Sequence, residues 1–190
     1  MTTQPEPVTL LEQIYDHAEG VLAQVGPDQH ELPTPCTEWT VHQLVNHMVG
    51  GIHFIAAAVA GDELPAGDPP DFAASEEPAK EFRMAAERSL AVWRTDGALD
   101  GTVNLGPVEL PAQAALGINQ IDTLTHSWDL CVALGIDRSI DPELAEAVLA
   151  IAKMVTTDES RGDRLAPAVP IADDAPAHDR LAAFLGRQPA

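Results

Sequence analysis

The sequence predicts a mainly α protein, a helical bundle with a small C-terminal extension. Several long stretches repeat apolar residues at steps of three and four, the period of a helix with one buried face. Strand-like alternation is nearly absent. The stretch Ile118 to Leu134, INQIDTLTHSWDLCVAL, is apolar on almost every side through Ile118, Ile121, Leu124, Trp128, Leu130, Val132 and Leu134. A helix of that kind belongs in a core rather than on a surface. Residues 1–160 are expected to form the bundle and residues 161–190 an extension packed on it.

In chain order, Val8 to Val25 forms the first amphipathic helix, stopped by Gly26-Pro27. Leu32 to Trp39 carries prolines at alternate positions, Pro33 and Pro35, which exclude helix and favour extended backbone. Thr40 with Gln43 makes a capping-box pattern at the start of a second helix, Val41 to about Ala60, closed by Gly61. The exposed Asp62–Pro70 connection leads to a third helix over Pro78 to Arg94. TVNLGPVEL, Thr102 to Leu110, is short and alternating, and Gly106-Pro107 at its centre suggests two short strands or an extended hairpin. Pro111 suits the first turn of the long helix that Gly135 ends. Asp141-Pro142 begins another helix, to about Thr157, and Ala177 to Leu185 packs a short one back on the body.

A chain of 190 residues can bury a sizeable core. With 30 acidic against 10 basic residues, the net charge of -20 repels nucleic acid and anionic membranes. Cys36 and Cys131 lack the spacing of a disulfide framework or zinc ribbon. MTTQPEPVTL has no positive, then apolar, leader pattern, and the apolar window Met48 to Ala60 is interrupted by His53 and short for a bilayer. The expectation is a cytoplasmic protein.

One polar stripe, Asn119, Asp122, His126 and Asp129, runs along the apolar helix at steps of three and four. Asp122 and His126, one turn apart, can face a single atom. On the second helix His47 has Gly50 and Gly51 a turn away, residues that each cost a helix about 1 kcal/mol against alanine. They would clear space beside the imidazole. The hypothesis is that His47, Asp122 and His126 bind one divalent metal, an open two-imidazole, one-carboxylate set suited to catalytic zinc or to iron, nickel or manganese. Asp129 then accepts an imidazole N–H or simply bridges helices. The competing interpretation, an ordinary solvated strip, weighs slightly more on spacing alone, because a DxxxH pair is weak evidence. His17, His30, His42 and His178 fall at positions that favour surface roles, and Cys36 fits a small buried hydrophobe.

Thr34-Pro35-Cys36-Thr37-Glu38-Trp39-Thr40-Val41, leading into Leu44-Val45-Asn46-His47, resembles the second-helix segment of DinB-like proteins related to mycothiol-dependent maleylpyruvate isomerase. DTLTHSWDLCVALG, Asp122 to Gly135, is similar to that family's metal helix. The tail Val169 to Gln188, with Asp179-Arg180-Leu181 and Phe184-Leu185-Gly186-Arg187, is similar to one branch of it. The resemblance implies a DinB-like four-helix bundle with a divalent metal, usually zinc, near one end, its ligands falling on His47, Asp122 and His126. Asp122 departs from the pattern, which has Glu there, and is one methylene shorter.

The function so implied is a low-molecular-weight-thiol-dependent transferase or isomerase, with mycothiol as thiol cosubstrate and metal-held thiolate as nucleophile. The alternative is a non-catalytic metal-binding or sensing bundle. Metal-activated water for hydrolysis, a plain interaction bundle and, lowest, a non-haem iron oxygenase complete the set. Expected partners are a small-molecule thiol and an electrophilic substrate, with no nucleic acid or membrane, and with a homodimer left open.

Overall fold

The structure, a computed structural model, describes residues 6–64, 67, 70–157, 161 and 165–189. Six α-helices lie among the described residues: α1 (Pro7–Leu22), α2 (Val41–Ala60), α3 (Pro78–Trp93), α4 (Ala112–Leu134), α5 (Pro142–Val155) and α6 (Ala177–Phe184). A two-stranded antiparallel ribbon, β1 (Thr102–Asn104) and β2 (Glu109–Pro111), pairs Val103 with Leu110 just before α4. The expected mainly helical bundle is what the chain forms. Parts of the Asp62–Pro70 connection, and residues 158–160 and 162–164 around the expected 160/161 boundary, lie outside the described residues.

α4 organises the packing because it divides two apolar clusters. On one side Leu116, Leu130 and Cys131 pack with α1, α2 and α3, among them Leu44, Met48, Phe82 and Trp93. On the other, Leu124 and Trp128 pack with Leu10 and Ile14 of α1, Val148 and Leu149 of α5 and Leu181 of α6. A helix facing core on two sides must be apolar nearly all round. Ile118 and Val132 are the departures: both are exposed. α6 is tied to α4 by more than apolar area. The nearly buried Asp179 carboxylate accepts from Trp128 Nε1 at 3.3 Å and from Arg138 Nε at 3.1 Å.

The ends of α2 are set locally. Thr40 Oγ1 accepts from Gln43 N, and Gln43 Oε1 accepts from Thr40 N at 2.9 Å, so the expected capping box forms. Gly61, at φ 73°, closes the helix in the left-handed conformation that glycine adopts without penalty. Taken whole, α2 is long and apolar enough to cross a membrane, more so than its Met48–Ala60 window suggests. Core helices share that composition, and Val41, Leu44, Val45, Met48, Val49 and Ile52 are buried within the bundle. α1 stops at Leu22, three residues short of the expected Val25. Gln24 Nε2 donates to Gly20 O and the backbone turns there, while Val25 still packs on the core.

The proline-containing segment before α2 folds into a tight loop. Pro33 bridges Thr40, Thr34 N donates to Trp39 O at 3.3 Å and Trp39 N to Cys36 O at 2.7 Å. Thr34 Oγ1 donates to the carbonyls of both Cys36 and Trp39. Fixed proline dihedrals and these internal bonds present Cys36 and Trp39 towards α4.

Candidate metal centre

His47 on α2 and His126 on α4 direct their Nε2 atoms at the same oxygen, Asp122 Oδ1, at 3.2 Å and 3.4 Å. The donor atoms of these three residues lie within 4.8 Å of one another. Zinc bonds nitrogen and carboxylate oxygen at about 2.0–2.2 Å, which puts two tetrahedral ligands roughly 3.4 Å apart. The residues therefore fit a metal ion with little rearrangement. His126 is buried, whereas His47 and Asp122 each keep about a third of their side chains exposed (34% and 35%), so one side of the cluster is open. Gly51 keeps that side clear: a Cβ added there would sit 4.0 Å from Asp122 Oδ2. Trp39 covers another side, its ring centroid 4.4 Å from that of His47 and 5.7 Å from that of His126.

Behind this trio lies a second layer centred on Asp129, whose side chain is wholly buried. Its Oδ2 accepts from His126 Nδ1 at 2.9 Å, from Arg187 Nη2 at 2.8 Å and from the Cys36 thiol at 3.3 Å, and its Oδ1 accepts from Arg187 Nε at 3.1 Å. Oδ2 thus takes three donors and Oδ1 one. Arg187 Nη2 also donates to Cys36 Sγ at 3.1 Å, and Nη1 to Leu185 O. The centre thus joins the loop before α2, the helix α4 and the chain after α6.

Burial alone would lift the Asp122 and Asp129 carboxyls, yet both are held below the usual carboxylate range. For Asp122 the opposing contacts are His126 and His47; for Asp129 they are His126 and Arg187. Burial would likewise lower His126, but Asp122 and Asp129, one on each ring nitrogen, raise it well above an ordinary imidazole. Both ring nitrogens of His126 thus face carboxylates, which favours its protonated form. A metal cation at Nε2 would take over the proton's electrostatic role.

A second set, Cys36, His126 and Asp129, also has donor atoms within metal-holding distance. It is the poorer of the two. Asp129 is already neutralised by the two-pronged Arg187 contact, and the guanidinium on Cys36 Sγ would repel a divalent cation.

The structure brings His47, Asp122 and His126 together and puts Asp129 on the far nitrogen of His126. Asn119 leaves the stripe: it is buried, and its Nδ2 donates to Tyr15 Oη at 2.9 Å. Cys36, expected to be a buried hydrophobe, is instead half-buried and bonded into the centre. His17, His30, His42 and His178 are half-buried rather than surface groups, and His53 stacks on Phe72. Trp39 and Arg187 carry no signal in helical spacing. Arg187 stands out in the sequence only through the similarity of the tail.

Residues 11–131 match the family described as mycothiol maleylpyruvate isomerase N-terminal domain. Two proteins from two strains of Mycobacterium tuberculosis, both described as uncharacterized, are 34% identical over 188 residues, covering 96% of this chain and 98% of theirs. Solved structures of a mycothiol-dependent maleylpyruvate isomerase, and of a histidine-to-alanine mutant of it, superpose with a TM-score of 0.56 at 19% identity, over 79% of this chain and 71% of theirs. At that identity the likeness is one of fold. The matched segment holds the loop, α2 and α4 as far as Cys131, and this chain belongs to the mycothiol maleylpyruvate isomerase N-terminal domain family.

Proposed function

We propose that this protein is a metal-dependent enzyme, a transferase or isomerase that uses a low-molecular-weight thiol on a small electrophilic substrate. The observation that carries it is the meeting of two imidazole Nε2 atoms on one carboxylate oxygen, open on one side, within a family named for a mycothiol-dependent reaction. His47, Asp122 and His126 are the ligands, zinc is the metal their chemistry suits best, and mycothiol is the thiol the family description indicates. Bound zinc supplies a Lewis acid that keeps a thiol sulfur as thiolate at neutral pH.

The chain's own residues supply the rest. Asp129 holds the proton on His126 Nδ1, so that Nε2 keeps its lone pair for the cation. Trp39 shields the imidazole pair from water on one side, and the space beside Gly51 leaves room for thiol and substrate. Arg187 is committed to Asp129 and to Leu185 O, which makes it a poor anchor for substrate carboxylates. With a net charge of -20 as well, the site favours an uncharged or singly charged electrophile over a dicarboxylate.

The test is calorimetric titration of mycothiol into zinc-loaded wild type and His126→Ala, followed by a screen for thiol-dependent consumption of small electrophiles. Thiol binding that needs both zinc and His126 supports the proposal. Tight zinc with no affinity for any thiol would overturn it in favour of a metal-binding or sensing role.

A further inference from the structure

The second layer of the centre is completed from the far end of the chain. Arg187 lies after α6, 58 residues from Asp129 and 151 from Cys36, yet it makes two hydrogen bonds to the first and one to the second. Only 10% of its side chain is exposed. Two-pronged guanidinium–carboxylate pairing fixes the carboxylate plane as well as its charge, which a lysine at the same place would not do. Asp129 Oδ2, so fixed, accepts from His126 Nδ1 at 2.9 Å, and the other nitrogen of that ring faces Asp122 and His47. The path from chain end to ligand atom is therefore Arg187 to Asp129 to His126, through direct hydrogen bonds at every step.

We propose that Arg187 is a positioning residue for the metal ligand His126, and that docking of the segment after α6 and metal binding are coupled. The inference rests on the metal reading above. Without Arg187, Asp129 loses the partner that sets its orientation, and the imidazole loses the fixed acceptor that keeps its tautomer and ring plane suited to the cation. Coupling of this kind is reciprocal: if the docked tail strengthens metal binding, bound metal strengthens docking of the tail by the same factor. The Gly186 position shows how closely the segment is seated. Its φ is 86°, and a Cβ there would come within 2.7 Å of the Ala166 carbonyl oxygen.

The test compares zinc affinity, by competition with a chromophoric chelator, in wild type, Arg187→Lys and Arg187→Met. Circular dichroism and thermal unfolding of each metal-free variant establish that it folds. Removing such a supporting partner weakens a metal typically about 10- to 100-fold, and the lysine variant should fall between wild type and methionine. In parallel, hydrogen exchange of residues 185–189 is followed in wild type with and without zinc, and zinc should slow it. Folded Arg187 variants with wild-type zinc affinity, or tail exchange indifferent to zinc, would overturn the coupling and leave the metal reading standing. Wild-type protein that takes up no zinc would overturn both. If Arg187→Met does not fold, Arg187→Lys and the exchange experiment still decide the matter.

Discussion

α4 carries two groups of polar side chains, and they behave in opposite ways. Near its middle, Asn119 donates to Tyr15 Oη at 2.9 Å, the Tyr15 hydroxyl donates to Ser89 Oγ at 2.9 Å, and Thr123 Oγ1 donates to Asn119 Oδ1 at 3.4 Å. These groups span α1, α3 and α4, and each finds its complement in another neutral group. On another face of the same stretch of α4, Asp122, His126 and Asp129 meet Arg187, His47 and Cys36. Here charged groups are concentrated, and two nitrogens crowd one oxygen. Satisfied neutral networks hold helices in register. The crowded cluster with its open side is the feature on which the proposed metal reading rests.

That contrast can be broken most severely at His126. His126→Ala should abolish zinc binding, a loss beyond the roughly 100-fold upper range for a supporting residue, as read by metal analysis and chelator competition. Tyr15→Phe should do the reverse. It strands Asn119 and Ser89 in the core and should cost about 1–3 kcal/mol of unfolding free energy, measured by urea titration, with zinc affinity unchanged.

A pH titration sharpens the same difference. Burial pushes the Tyr15 phenol far above its ordinary value, with the Ser89 and Asn119 contacts opposing only in part. A group whose folded pKa is raised contributes stability that is complete below its unfolded pKa, near 10 for tyrosine, and is lost as pH rises above it. Because Tyr15 is the single tyrosine, near-ultraviolet absorbance should show no phenolate until the protein unfolds in alkali. Ionisation of the phenol in the still-folded protein would contradict the buried network. The smallest effect belongs to Gly51→Ala. Its Cβ makes ordinary contact with Asp122, so zinc should be retained while helix propensity adds up to about 1 kcal/mol, seen as a small rise in Tm.

Helix-scale features were legible because their causes are local. The Thr40–Gln43 capping box, Gly61 and the DxxxH spacing each depend on residues within one turn. Asn119 was misplaced because spacing gives the face of a helix but not the neighbour at each level, and at its level the neighbour is Tyr15. Cys36 and Arg187 lie 90 and 61 residues from His126, so no periodicity links them to the centre. Their roles emerge only when the proline-containing loop and the chain after α6 close over α4.

Zinc affinity of the wild-type protein beside His126→Ala and Tyr15→Phe, each checked for folding, is the most direct measurement. Near-stoichiometric zinc in wild type and Tyr15→Phe, with none in His126→Ala, is the expected result. Zinc held equally well by His126→Ala, or by none of the three, would contradict a metal centre at His47, Asp122 and His126.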